Sequence, residues 1–136
     1  MMQRPIFHLS FPVRDLEVSA RFYVDVLGAR RGRVRETWTD VHLRGHQITL
    51  QLRPEEVADD QGSRHFGVVI PWEEWGAEVE RSSGIAARRG PEVAFAGTPQ
   101  EQAKLYLTDP DGYVIELKSY RDPAAALEFV PESETP

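Results

Sequence analysis

The chain has 136 residues, a formal net charge of −6, 40% apolar and 28% charged residues, and no cysteine. That length supplies one ordinary hydrophobic core, and the acidic balance argues against nucleic acid or an anionic membrane as partner. No apolar window of about 18 residues is present to span a bilayer, and without cysteine any metal site must use histidine, carboxylate or amide ligands.

The N-terminal residues lack the long apolar core of a signal peptide, so the expectation is a cytoplasmic protein. Ile6 to Val13 alternates as a strand, with Phe7, Leu9, Phe11 and Val13 expected on the buried face and His8, Ser10 and Pro12 on the other. Asp15 is a good N-cap for a helix in which Leu16, Ala20, Tyr23 and Leu27 recur at helical spacing before Gly28. Ala29 to Arg35 is basic and weakly strand-like; Glu36 to Leu43 and Gln47 to Leu52 read as two strands turning at Arg44-Gly45-His46. The run Arg30, Arg31, Arg33, Arg35 reads as a solvated face, with steering of acidic substrates or an interface as the sharper reading. Residues 54–63 are polar and read as a surface linker.

The order then restarts. Arg64 to Ile70 is a strand with Phe66, Val68 and Ile70 on its buried side and His65 on the other. Pro71 opens a helix expected over Trp72 to Ser83, with Trp72, Trp75 and Val79 on one stripe and Gly84 ending it. Ile85 to Phe95 is strand-like, broken at Gly90-Pro91, and Ala103 to Thr108 is the next strand. Asp109-Pro110-Asp111-Gly112 forms a tight turn, with an acceptor, a preset φ and a left-handed glycine in sequence. The final strand puts Tyr113, Ile115 and Leu117 on one side and Val114, Glu116 and Lys118 on the other. Pro123 to Phe129 suggests a short helix before a polar end.

Each half therefore reads strand, helix, strand, strand, strand: an α+β fold of two βαβββ modules. The domain spans 1–121, with half-modules at about 6–53 and 64–119 and a C-terminal tail over 122–136. His8 and His65 occupy the same point of their first strands. Matching Ile48–Leu52 to Tyr113–Leu117 sets Gln51 against Glu116. These polar positions are expected on one face of a curved sheet, with the helices on the other.

Singly, each has a plainer reading: a hydrogen-bonded or surface histidine, a solvated carboxylate. Together, two histidines and a carboxylate with open positions suit a divalent transition metal. Imidazole favours Fe, Ni, Co or Zn, the carboxylate also admits Mn, and this donor set serves non-haem Fe(II) oxygenases. His42 and His46 flank a hairpin turn and read as solvated, with His46 placed to lean over the site mouth. Periodicity leaves Tyr106 open between core and site, because the turn shifts strand parity.

At these residues the sequence resembles the vicinal oxygen chelate superfamily, which includes glyoxalase I, extradiol dioxygenases, and bleomycin and fosfomycin resistance proteins. The pieces are Phe7-His8-Leu9, Arg14-Asp15-Leu16, Arg21-Phe22-Tyr23, Leu27-Gly28, His65-Phe66-Gly67-Val68 and Asp109 to Leu117. More narrowly, Gly45-His46-Gln47 and Gly97-Thr98-Pro99-Gln100-Glu101-Gln102-Ala103 are similar to small bacterial proteins described as predicted extradiol-type dioxygenases. The resemblance implies two modules curling around a metal cup. Its metal would be held by His8, His65 and Glu116, with Fe(II) favoured and Mn, Ni or Zn compatible. It further implies Tyr106 against a substrate oxygen, an aromatic diol or similar small molecule as substrate, and a homodimer. The extradiol acid/base histidine is replaced at its place by Gln51, whose amide cannot transfer a proton near neutrality, leaving His46 as the candidate. Extradiol cleavage is the leading expectation; a glyoxalase-like isomerase or lyase and a metal-free drug-binding protein are the alternatives.

Overall fold

The computed structural model describes residues 4–128, and the chain divides into two units, 1–63 with 109–113 and 64–108 with 114–136. The expected end of the short helix at Phe129, and the tail beyond it, lie outside the described residues.

In the first unit, β1 (His8–Val13), α1 (Leu16–Asp25), β2 (Arg30–Val34), β3 (Trp38–Leu43) and β4 (His46–Leu52) follow one another. Their sheet has the order β1-β4-β3-β2, with β1 parallel to β4 and the remaining pairs antiparallel. Asp15 caps α1 as expected, its carboxylate accepting from the Val18 N–H at 2.9 Å. Ala20 and Tyr23 of α1, together with Leu27 just beyond it, are buried, as are Val13, Val41, Leu43, Ile48 and Leu50 of the sheet. Period-2 strands and a helical stripe thus close one apolar layer.

Phe7 is a correction. It precedes β1 rather than belonging to its buried face and is 64% exposed; its N–H goes to Nδ1 of His46 at 3.2 Å.

The turn at 109–113 belongs to this unit and is built as the sequence suggests. Asp109 Oδ1 accepts from the N–H groups of Asp111 and Tyr113, both at 2.9 Å, and Gly112 has a φ of 90°. Tyr23 donates to Asp109 Oδ2 at 2.8 Å, Ser19 and Arg14 bond to Asp111, and the Tyr113 hydroxyl donates to the Pro12 carbonyl at 2.7 Å. Burial raises the Asp109 pKa from 3.8 to about 6, against the three hydrogen bonds that favour its ionised form.

The second unit repeats the order: β5 (His65–Val69), α2 (Trp75–Ala86), β6 (Ala87–Ala94), β7 (Gln102–Thr108), β8 (Val114–Tyr120) and the short α3 (Pro123–Leu127). Its sheet order is β5-β8-β7-β6, with β5 parallel to β8. Ile70, Leu105, Leu107, Ile115 and Leu117 form the core. The second helix also differs from expectation. A 3-10 turn covers Trp72–Glu74, and α2 then runs through Gly84 to Ala86 instead of stopping there. Among its described side chains Trp75 and Val79 are half-buried, while Glu78 and Ser82 are the buried ones. The pair survives burial because Ser82 bonds the Glu78 carbonyl at 2.6 Å and Arg81 pairs with the Glu78 carboxylate. No described helix is long and apolar enough to cross a membrane.

Candidate metal centre

In the second unit, β5 brings His65 to the β8 carboxylate: His65 Nε2 lies 3.1 Å from Glu116 Oε2. Glu116 is 8% exposed, mid-strand between Ile115 and Leu117, and a buried carboxylate needs partners. Tyr106 stands directly opposite Glu116 in the β7–β8 register, its ring edge-on to the His65 imidazole at 6.2 Å between centroids. Tyr106 therefore belongs to this face, a direction that periodicity had left undecided.

Gly67 makes the arrangement possible. It pairs with Glu116 across the parallel strands, and a Cβ placed there would fall 1.6 Å from the Glu116 carbonyl oxygen. Only a residue without a side chain lets β5 approach β8 so closely.

Further polar side chains lie nearby. Lys118 Nζ is 3.7 Å from Glu116 Oε1, and the Arg89 guanidinium lies 5.1 Å from the Tyr106 ring centre.

In the first unit, His8 is exposed at the start of β1. Gln51 donates to Ser10 Oγ at 2.6 Å, and His46 is engaged through Nδ1 by the Phe7 N–H. Here the register corrects the expected match of Gln51 with Glu116. With His8 set on His65, Ser10 falls on Gly67, and their cross-strand partners are Thr49 and Glu116. The next strand continues the correspondence, since Asp40 opposes Thr49 as Tyr106 opposes Glu116. The cause is a register difference of two residues, which strand parity cannot reveal because it leaves every side chain on its face.

Asp40 itself had drawn no attention. It is wholly buried and accepts from Thr49 Oγ1 and Arg33 Nε, both at 2.7 Å, and from Gln47 Nε2 at 3.4 Å. Burial alone would raise its pKa, but the Thr49 and Arg33 hydrogen bonds hold it below the ordinary 3.8. The available signal was a carboxylate in mid-strand just before Val41, as Glu116 stands just before Leu117. Part of the basic run beside it is likewise engaged: Arg33 pairs with Asp40 and Arg31 with Glu17 at 2.8 Å.

His65 and Glu116 fit a divalent ion. Two donors bound to one ion at right angles, each at about 2.1 Å, lie about 3.0 Å apart, close to the observed 3.1 Å. Imidazole nitrogen with carboxylate oxygen is also a donor set that Fe, Mn, Ni and Zn share. Within neither unit do three or more described His, Asp or Glu side chains group for a metal. His8 belongs to the first unit, the other two to the second.

Comparison with known proteins agrees with this architecture. A crystal structure titled glyoxalase/bleomycin resistance protein/dioxygenase, from Alicyclobacillus acidocaldarius, superposes with a TM-score of 0.75 at 26% identity, covering 89% of this chain and 95% of that one. A virulence protein of Salmonella typhimurium is 29% identical over 122 residues, spanning 85% of this chain and 83% of the relative. The fosfomycin resistance protein FosX of Listeria monocytogenes shares the fold, with a TM-score of 0.67 at 18% identity over 87% of this chain and 94% of that one. Residues 6–117 match the family model of the Glyoxalase/Bleomycin resistance protein/Dioxygenase superfamily, and the chain belongs to that superfamily.

Proposed function

We propose that the protein is a mononuclear metal-dependent enzyme acting on a small substrate held through vicinal oxygens, with extradiol-type cleavage of a catechol-like compound as its reaction. The observation that carries this reading is the grouping of His65, Glu116 and Tyr106 on one sheet face. His65 Nε2, a Glu116 carboxylate oxygen and His8 would hold the ion, and Fe(II) is the favoured metal. Bound there, such an ion supplies Lewis-acid charge to adjacent substrate oxygens.

The chain's own residues do the rest. Tyr106, opposite Glu116, donates its phenolic hydrogen bond to a substrate oxygen and orients the ring. Gly67 keeps the space beside Glu116 clear of a side chain. His46 is the proposed acid/base, and because its Nδ1 accepts the Phe7 N–H, its Nε2 is the atom that exchanges the proton. Exposed Phe7, Val93 and Phe95 support a homodimer, and a cytoplasmic setting completes the reading.

A metal-free binding protein is the competing reading, favoured by one observation: His65 and Lys118 both neighbour the Glu116 carboxylate, at 3.1 and 3.7 Å, and so can answer its charge themselves. Metal analysis of chelator-free protein, followed by anaerobic Fe(II) loading and O₂ uptake on catechols, separates the two. A stoichiometric ion with O₂ uptake supports the dioxygenase. Substoichiometric metal, with His8→Ala unchanged, refutes it in favour of the binder. Turnover of a glutathione hemithioacetal instead of a catechol moves the assignment to a glyoxalase-like isomerase.

A further inference from the structure

On the same face as His65, Tyr106 and Glu116, the β7–β8 register sets Lys104 directly opposite Lys118. Like charges so placed oppose sheet formation. Both side chains are nevertheless drawn in, 19% and 29% exposed, although lysine is rarely covered. Their counter-ions are Glu92 Oε1, 3.6 Å from Lys104 Nζ, and Glu116 Oε1, 3.7 Å from Lys118 Nζ. Glu92 must also serve Arg89, which bonds it at 2.8 and 3.2 Å.

Among the described residues, Arg89, Lys104 and Lys118 thus share the carboxylates of Glu92 and Glu116, and Glu116 is a proposed metal ligand. A carboxylate drawn onto a divalent ion has less charge to offer Lys118, and the ion itself makes the face more positive. In a protein whose net charge is −6, this is a local cationic site that concentrates anions. A neutral diol would leave the imbalance in place.

We propose that the substrate carries an oxyanion group, a carboxylate or a phosphoryl group, seated between Lys104 and Lys118 beside Tyr106; this rests on the metal-enzyme reading above. Ammonium donors meet such a group with charge-assisted hydrogen bonds, which are stronger than those to a neutral hydroxyl.

The test is calorimetric titration of the full-length protein with catechol, with protocatechuate (a catechol bearing a carboxylate) and with a catechol bearing a phosphonate. Each titration is run without metal and with Mn(II), while the Mn(II) spectrum reports occupancy of the metal site. The charged probes should bind about tenfold more tightly than catechol, and Lys104→Met should remove about that factor for them alone. Preference for carboxylate or phosphonate identifies which oxyanion is meant. Equal affinity for charged and neutral probes, or an unaltered preference in Lys104→Met, overturns the proposal. Absent Mn(II) binding with the charged preference intact would instead sink the metal reading alone. Circular dichroism checks the fold, and Lys118→Met gives the same readout should Lys104→Met misfold.

Discussion

Replacing Tyr23 by phenylalanine isolates one buried hydrogen bond and gives it a pH signature. Tyr23 is fully buried, its ring meeting Phe22 edge-on at 5.2 Å and Phe11 at 6.3 Å, and these contacts survive the substitution. What disappears is the hydroxyl that donates to Asp109 Oδ2 at 2.8 Å. Asp109 is 4% exposed, so water does not readily replace that donor. Stranding an oxygen of a buried carboxylate costs about 1.5–3 kcal/mol.

The cost depends on ionisation. Burial raises the folded pKa of Asp109 to about 6 from 3.8, so the wild-type fold holds a proton that the unfolded chain releases between those values. Asp109 thus favours the fold in acid and withdraws that contribution as pH rises through about 6. The Tyr23 hydrogen bond lowers this pKa; removing it pushes the folded value higher still. The added loss in Tyr23→Phe is therefore full above the folded pKa and shrinks as pH falls through it. Urea unfolding should show a loss of about 2 kcal/mol at pH ~8 and less than about half of that at pH ~5, with the denaturant slope unchanged. Equal losses at both pH values, or none at either, would refute the reasoning.

Gly67→Ala sets a methyl group 1.6 Å from the Glu116 carbonyl oxygen, a main-chain atom that cannot rotate away. Thermal unfolding should show a loss of at least about 3 kcal/mol, with weaker Mn(II) binding by spin resonance. Glu116→Gln keeps the shape but not the charge, and should weaken Mn(II) binding by more than about tenfold, read by the same spectra. Asp40→Asn removes the charge that Arg33 pairs with and replaces one carboxylate oxygen by an amide nitrogen, which at the Oδ2 place would turn its hydrogens on the donors Arg33 and Gln47. Chemical denaturation should report a loss of about 2 kcal/mol near neutrality. Because the Asp40 pKa is lowered in the fold, that loss should fade as pH drops through the ordinary 3.8 and below.

Element order, the Asp15 cap, the turn at Asp109–Gly112 and the polar direction of His65 and Glu116 were all legible because each rests on local rules. A strand's period is two, a helix's is 3.6, and a turn's needs are met by its own residues. The second helix departs from its pattern because Trp72, Trp75 and Val79 look like a core stripe but are only half-buried, while among the described side chains Glu78 and Ser82 are the buried ones. Their polar atoms are satisfied by Arg81 and by the helix's own backbone, and periodicity does not see such partners. Phe7 was misplaced for a related reason: alternation marks a face but not where its cover ends.

By itself the sequence determined the repeated βαβββ order, the apolar layers, and which polar side chains stand opposite them. Only the tertiary structure decided the distances and the register. It sets His65 3.1 Å from Glu116, turns Tyr106 toward both, pairs Lys104 with Lys118, and puts Thr49 rather than Gln51 in the place of Glu116. The physical reason is that a strand's alternation survives a slip of two residues without any side chain changing face. The hydrogen-bonded neighbour across the gap, which the order of residues along one strand does not contain, is what selects among those slips.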